Sequence, residues 1–540
     1  MTDLASKNST KMRWQGAGAW NVYFILKFVF ASLGYLNLNL FYNALLLAGV
    51  VLPIKHRLLS VFRTIVAMAA GGALLYSESW LPSLESIMAN AGNIADFSLV
   101  YLLEVAVDSI NWTLLGSIFL ASVIYLFVKD WIRVTAITTI YLTWLVVQPY
   151  CQSLQAPTVI TKEVAQVEDS SMTLMGPHQT GTSDTASIDR WLESFYIHEA
   201  SRQTQFPKEI AQGVPFDVLL VNICSLSQDD LAVAKLTEHP VLARFDIYLD
   251  NFNSATAYSG PATLRLLTAS CGQSSHSALY DNRRPTCELM TNLSHLGYSQ
   301  HLFMDHEGKF DNYLPNLKSV AGMQVDLASQ KGYRPRYTGF DGDVVYDDAD
   351  LFKHWLKTVS DDTTQRTVTL FNLIALHDGN RSVGSTRAMP FGPRAKLMLD
   401  QLHQLMNDIE KSGRRVMMVV VPEHGAAVRG DKIQMARLRD IPSPHITHVP
   451  TMVKYFGLQG DVNPVRVKEN TSYLAVSEMI ARTLDIDLYR QADANATVQG
   501  IARGLPQTYP VSENSNAAVV RFQDKYFVRL NGGEWLPYMQ

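Results

Sequence analysis

Val416-Met-Met-Val-Val-Val-Pro-Glu-His-Gly425 is an unbroken apolar run that stops at Pro422 and then presents Glu423 and His424 side by side. The run is short, rich in valine and bounded by turn-forming residues, which reads as a strand buried on both faces of a sheet. In open α/β sheets, ligands bind beyond the carboxyl ends of such strands. A carboxylate and an imidazole delivered there together make a pair of metal ligands. The same two residues would also serve as an ordinary charged exit from strand to loop. Only the neighbouring strands can decide between these readings.

From about residue 205 the pattern alternates between strands and helices. Strands are expected near 216–223, 245–248, 300–304, 368–374, 416–421 and 451–456, with helices between them. Such alternation predicts an α/β domain with a mostly parallel central sheet and helices on both faces. The segments 517–522 and 526–530 flank Gln523-Asp-Lys525 and predict a C-terminal β-hairpin.

Further strand ends carry chemistry. Asp217-Val-Leu-Leu-Val-Asn-Ile-Cys224 ends in a thiol, which reads as a small buried hydrophobe or, from its place at a strand tip, as a ligand. Asn253-Ser-Ala-Thr-Ala-Tyr-Ser-Gly-Pro261 puts Ser259 at a helix start, with Pro261 in the first turn. A serine there caps the helix, or serves as a nucleophile favoured by the free N–H groups and the helix dipole. Val368-Thr-Leu-Phe-Asn-Leu-Ile-Ala-Leu-His-Asp-Gly379 places His377 at another strand end, as a loop histidine or a site residue. Arg437 and Arg439 follow the opening segment and suit a phosphate clamp or a surface ion pair. Asp305-His306-Glu307 reads as a solvated turn before Gly308.

The first 150 of the 540 residues differ in kind. Five segments, roughly 18–36, 38–54, 60–76, 111–128 and 132–150, are apolar enough to span a bilayer. Lys7, Lys11 and Arg13 precede the first, Lys55, His56 and Arg57 follow the second, and Lys129 and Arg133 separate the last two. The positive-inside rule puts all three clusters in the cytoplasm, and hence everything after Pro149 outside. The acidic loop of about 77–110, with Glu78, Glu85 and Asp96, then lies outside as well. The first span lacks a small-residue cleavage site and is followed by others, so it reads as an anchor and not as a signal peptide. The expected organisation is a transmembrane domain over 1–150, a polar linker over 151–204 carrying an amphipathic helix from Ala186 to Glu199, and an external domain over 205–540.

A net charge of −4, with no basic stripe in the soluble part, gives nucleic-acid binding no support. Of the four cysteines, Cys271 and Cys287 flank a polar loop. They are the favoured disulfide in an oxidising compartment, where a loop of that size contributes about 3 kcal/mol.

Taken as a set, Asn222-Ile-Cys-Ser-Leu-Ser227, the Asn253–Pro261 segment, Leu376-His-Asp-Gly-Asn380, Val421-Pro-Glu-His-Gly425, Leu438-Arg-Asp-Ile-Pro-Ser-Pro444 and Leu530-Asn-Gly-Gly533 carry a resemblance. They look like the alkaline phosphatase superfamily and, within it, the membrane-anchored phosphoethanolamine transferases. The match is closest to those that modify cellulose in bacterial secretion systems. Cys224, Ser259 and Glu423 stand where lipid-modifying relatives carry an acid, a threonine and an aspartate. The resemblance implies zinc as cofactor, held by Cys224, Glu423 and His424 with Ser259 as fourth ligand, and Tyr258, His377 and Arg439 around the transferred phosphate. It implies an alkaline-phosphatase-like domain in the periplasm on a multi-pass inner-membrane anchor. It further implies transfer of phosphoethanolamine from phosphatidylethanolamine to glucosyl hydroxyls of nascent cellulose, at C6, through a covalent serine intermediate. Cellulose synthase subunits would be partners. A non-catalytic scaffold for the synthase, and a phosphoglycerol transferase of the same superfamily, are the competing functions.

Overall fold

The computed structural model describes residues 16–33, 36–54, 56–79, 112–155, 185–210, 213–281, 283–362 and 366–538, with Leu99, Leu102, Leu103 and Val107. Lys7, Lys11, Arg13, Lys55, most of the 77–110 loop and residues 156–184 of the expected linker lie outside these. The chain divides into two units, residues 1–83 with 107–174, and 84–106 with 175–540.

The second unit is organised by a seven-stranded sheet. Its order is Val465–Thr471, Ile247–Phe252, Thr451–Phe456, Val416–Pro422, Asp217–Ile223, Thr367–Leu373 and Ser299–Met304. Every residue of Asp217–Ile223, Thr367–Leu373 and Val416–Pro422 is buried. Their alternation divides the core in two. Val218, Leu220, Val368, Leu370, Val419 and Val421 face one cluster, with Leu264, Leu289 and Met479 from helices on that side. Leu219, Val221, Phe371, Met418 and Val420 face the other, with Trp355, Met398 and Leu402. A strand with a helix layer on each face is apolar throughout, which is why these runs carry no period-two polarity.

The sheet is mixed, because Thr451–Phe456 runs antiparallel to both neighbours while the other six strands share one direction. This reversal has a consequence for the site. A strand that returns antiparallel starts at the edge where its predecessor ended, so the chain between Pro422 and Thr451 stays at the carboxyl ends and carries Arg439 there. Val465–Thr471, absent from the expected strands, is an edge strand whose charged side chains face solvent.

The expected C-terminal hairpin is the middle of a four-stranded antiparallel sheet, Val511–Glu513, Ala517–Phe522, Lys525–Leu530 and Leu536–Pro537. Its apolar face, with Val520, Phe522, Phe527 and Trp535, is covered by Ile188, Leu192 and Phe195. These come from the helix Thr185–Ala200, whose place in a polar stretch had suggested a linker element. Cys271 and Cys287 form the expected disulfide.

In the first unit, helices Trp20–Ser32, Leu40–Val51, Arg57–Glu78, Trp112–Val128 and Val134–Gln155 stand where the five apolar segments were read. Among the described residues only Arg57–Glu78, at 22 residues, is long and apolar enough to cross a membrane; the apolar parts of the others are shorter. These helices enclose a buried ion pair between Lys27 and Glu78. Lys27 Nζ also donates to Asn43 Oδ1 at 2.7 Å, and the Asn39 N–H to Glu78 Oε1 at 2.8 Å.

Candidate active site and metal centre

Strand register brings the first two ligand candidates together. Ile223 pairs with Pro422 across adjacent parallel strands, so the next residues, Cys224 and Glu423, leave the sheet side by side. The Glu423 N–H donates to Ile223 O at 2.9 Å and the Cys224 N–H to Leu373 O at 2.8 Å, extending the ladder one step beyond the strands. The loop after Glu423 is held by Asp230, which accepts from the Ala426 N–H at 2.7 Å and the Val428 N–H at 3.2 Å. Gly425 has to be glycine, because a Cβ there would meet Ser227 Cβ at 2.7 Å.

Ser259 opens the helix Ser259–Leu267, with Tyr258 as an extended N-cap that makes no side-chain capping bond. Ser259 Oγ lies 3.3 Å from Cys224 Sγ and 3.2 Å from His424 Nε2. One ligand atom each of Cys224, Glu423 and His424 falls within 4.8 Å of the others, and all three residues are buried. His424 Nδ1 faces the Gly425 carbonyl at 2.8 Å, so Nδ1 carries the proton and Nε2 keeps its lone pair towards the thiol and hydroxyl. Burial, and then the Arg439 charge, hold this imidazole well below the usual histidine range. Burial, and then the neighbouring Glu423 charge, push the Cys224 thiol up to about 12.

Glu423 is oriented by residues that strand reading missed. Its Oε1 accepts from Asn372 Nδ2 at 2.6 Å and Thr263 Oγ1 at 2.9 Å. Its Oε2 is buried with no well-formed hydrogen bond, with Ser259 and Cys224 beside it. Burial raises this carboxyl, against hydrogen bonding from Ser259, Thr263 and Asn372. Asn372 also donates to Asn222 Oδ1 at 3.2 Å, and its Oδ1 faces His306 Nε2 at 2.9 Å. His306 Nδ1 accepts from the Gly308 N–H at 3.0 Å, so Nε2 carries the proton and fixes which way the Asn372 amide points. His306, read as part of a solvated turn, is therefore a buttress two bonds from the cluster. Burial lowers its pKa to about 4, so it stays neutral. The overlooked signal was an asparagine near the end of each of two fully buried strands, at 222 and 372, paired in register.

A second group lies beside the first. Arg439 Nη1 is 3.2 Å from Ser225 Oγ and 3.4 Å from His424 Nδ1, and Nη2 is 3.4 Å from His377 Nε2. His377 Nδ1 faces the Asp378 carbonyl at 2.8 Å, leaving Nε2 as acceptor. Burial, then the Arg439 charge, lower it to about 3. Phe340 stacks on its ring at 4.2 Å. Tyr258 donates to Asp440 Oδ1 at 2.8 Å. Asn514 of the C-terminal sheet ties both loops together. It donates to the Arg439 and Asp440 carbonyls at 3.0 and 2.9 Å and accepts from the Ala257 N–H at 3.1 Å. Arg437 turns instead to Asp378, at 3.5 Å.

The donor set fits a zinc ion. It offers a thiol, an imidazole with its lone pair inward and a carboxylate oxygen that lacks a good partner, at mutual distances a tetrahedral ion can bridge. Among the described residues no lysine or arginine forms an ion pair with Glu423.

The family model for the "Cellulose biosynthesis protein BcsG C-terminal domain" matches residues 173–535, and that for the "Cellulose biosynthesis protein BcsG N-terminal domain" matches 20–147. The chain is 41% identical over 555 residues to the cellulose biosynthesis protein BcsG of Escherichia coli (strain K12), covering 100% of this chain and 99% of that one. It is 41% identical over 548 residues to the BcsG of Salmonella typhimurium, covering 98% and 97%. Among solved structures, a protein of the alkaline phosphatase superfamily from Vibrio parahaemolyticus superposes with a TM-score of 0.47 at 14% identity, over 65% of this chain and 91% of that one.

Proposed function

The chain belongs to the BcsG family of cellulose biosynthesis proteins, and on that premise we propose that it transfers phosphoethanolamine from phosphatidylethanolamine to glucosyl hydroxyls of nascent cellulose, at C6. The observation that carries this reading is the convergence of Ser259 Oγ on Cys224 Sγ and His424 Nε2, at 3.3 and 3.2 Å, at the start of a helix. A hydroxyl placed so, beside a buried carboxylate, is set up as a nucleophile towards phosphorus.

Cys224, Glu423 and His424 would hold zinc, with Ser259 as fourth ligand. When bound, the ion supplies Lewis acidity that favours the serine alkoxide and offsets charge on the phosphoryl oxygens. The chain's own groups do the remainder. Ser259 Oγ attacks the phosphorus of the lipid, the bond to the diacylglycerol oxygen breaks, and that oxygen leaves with a proton. A phosphoethanolamine ester stays on Ser259 until a glucosyl hydroxyl displaces it. Free backbone N–H groups of the first turn face developing negative charge. Arg439 and His377 Nε2 lie within 3.4 Å of each other, a spacing at which both can reach one phosphoryl group. Burial first and then the Arg439 charge depress His377, so the negative charge of a bound phosphate would raise it and favour its carrying a proton to or from a substrate oxygen. Tyr258, held by Asp440, borders the same space.

The apolar first unit fits this chemistry as a multi-pass inner-membrane anchor, with the transfer domain in the periplasm and cellulose synthase subunits as neighbours. Tethering would keep the domain at high effective concentration of its lipid donor. A scaffold without catalysis would have no use for an aligned thiol, imidazole, carboxylate and hydroxyl.

Intact-mass analysis tests the covalent step. The zinc-loaded full chain incubated with phosphatidylethanolamine should gain one phosphoethanolamine group on Ser259, and Ser259→Ala should gain none. An unmodified wild-type chain that is folded and metal-loaded would overturn the mechanism.

A further inference from the structure

The loop before Ser259 and the loop that carries Arg439 each hold a non-glycine residue in the left-handed region, Ala255 at φ 61° and Arg437 at φ 70°. Such backbone is unfavourable on its own and persists where the surrounding structure over-determines it. Along the first loop the support comes from the strand Val511–Glu513. The Glu513 N–H donates to the Ala255 carbonyl at 3.0 Å, Ser512 Oγ to Asn253 Oδ1 at 2.9 Å, and Asn253 Nδ2 to the Val511 carbonyl at 2.9 Å.

Asn514, next in the chain and buried at 6% exposure, reaches both loops. Its Oδ1 accepts from Thr256 Oγ1 at 3.0 Å and from the Ala257 N–H at 3.1 Å. Its Nδ2 donates to the Arg439 and Asp440 carbonyls at 3.0 and 2.9 Å. A carboxamide has two donors and two acceptor sites, and all four are in use. Two carbonyls on one side and a backbone N–H on the other leave a single orientation for the amide. The Asn514 N–H itself donates to the Ala517 carbonyl at 2.8 Å, which closes the turn between two strands of the C-terminal sheet. That sheet is packed under the helix Thr185–Ala200, so the amide is mounted on a rigid element.

We infer that Asn514 is a positioning residue for the transfer proposed above, on which this inference rests: it sets the span between the Ser259 hydroxyl and the Arg439 guanidinium. Both groups have to meet one phosphoryl group. Ser259 stands two residues beyond the Ala257 N–H that Asn514 holds, and the Arg439 carbonyl is itself held. Asn514 touches none of the reacting groups and acts through the two loops. A misplacement of about 1 Å between such groups costs about 100-fold in rate.

Asn514→Asp keeps the shape and the oxygen that Thr256 and Ala257 use, but turns a second oxygen against the two carbonyls, so it unties the Arg439 loop alone. The test follows single-turnover adduct formation on the zinc-loaded full chain with dihexanoyl phosphatidylethanolamine. At saturating lipid the rate per folded, metal-loaded chain should fall about 100-fold. The half-saturating lipid concentration should stay within about threefold of wild type, because the loss lies in alignment and not in ground-state binding. In an Arg439→Ala background the same substitution should cost less than about threefold, since the group it positions is gone. A merely structural role would not give that dependence on Arg439. Asn514→Ser, uncharged and too short to reach the carbonyls, replaces Asn514→Asp in both backgrounds if the latter fails to fold. A folded variant that reacts within threefold of wild type, or that loses as much in the Arg439→Ala background as in its absence, overturns the inference. A folded, metal-loaded wild-type chain that forms no adduct overturns instead the transfer reading, and this inference with it.

Discussion

Glu78 in the helical unit and Glu423 in the α/β unit are both buried, at 4% and 0% exposure, but they are neutralised in different ways. Glu78 meets Lys27, with Asn43 and the Asn39 N–H completing its hydrogen bonds. Glu423 meets Asn372 and Thr263, which orient it without cancelling its charge. Among the described residues the other buried glutamates follow the first pattern, Glu199 with Arg202 and Glu288 with Arg283. A carboxylate taken out of water must be paired, protonated or bound to a cation from outside the chain. Three buried glutamates carry their cation in the sequence. The fourth sits beside a thiol, a bare imidazole nitrogen and a serine hydroxyl, which are what a metal ion would need.

That contrast can be broken at several points. Glu423→Gln keeps the hydrogen-bonding shape and removes the charge, so transfer to Ser259 should fall by about 10⁴-fold or more. Single-turnover mass analysis reads this directly, and activity within tenfold of wild type would mean that the charge has no catalytic role. At the other site, Lys27→Met leaves Glu78 buried without its counter-charge and should destabilise the helical unit by about 3–5 kcal/mol. Lys27→Met with Glu78→Met should recover most of that loss in denaturant unfolding. Failure to recover would show that Lys27 matters for packing and not as a counter-charge. The smallest effect is expected from His306→Ala, which frees the Asn372 amide to turn away from Glu423. Loss of such outer support should weaken zinc affinity by roughly 10–100-fold while leaving the fold intact. His306→Gln, whose amide can still donate, should restore part of the affinity.

The two patterns were not equally legible in the sequence. Cys224, Ser259, His377 and Glu423 could be picked out because each ends an apolar run or opens a helix, and local pattern marks such places; Arg439 stood out only by the motif around it. The structure brings all five to one end of the sheet, with Tyr258 and His424. What supports them was harder to see. The roles of Asn222 and Asn372 depend on register between strands 150 residues apart, which no local period carries. The antiparallel direction of Thr451–Phe456 is set by the path of the connection before it, and an apolar strand reads the same in either direction. Val465–Thr471 escaped because only one face of an edge strand needs to be apolar, and its charges looked like a loop. The helix Thr185–Ala200 showed its amphipathic face, but the sheet that covers this face lies more than 300 residues away. Glu78 reads in the sequence as part of an acidic outer loop, whereas it ends the helix Arg57–Glu78, and only the fold pairs it with Lys27, 51 residues away.

On the proposed reading, an ion held jointly with Cys224 and His424 neutralises Glu423. Metal analysis of the full-length chain, purified without chelators, checks this when wild type is compared with Cys224→Ser and Glu423→Gln. About one zinc ion per chain is expected in wild type, and a small fraction of that in each folded variant. A wild-type chain that forms the Ser259 adduct at full rate without bound metal, or variants that keep a full complement of zinc, would contradict the account.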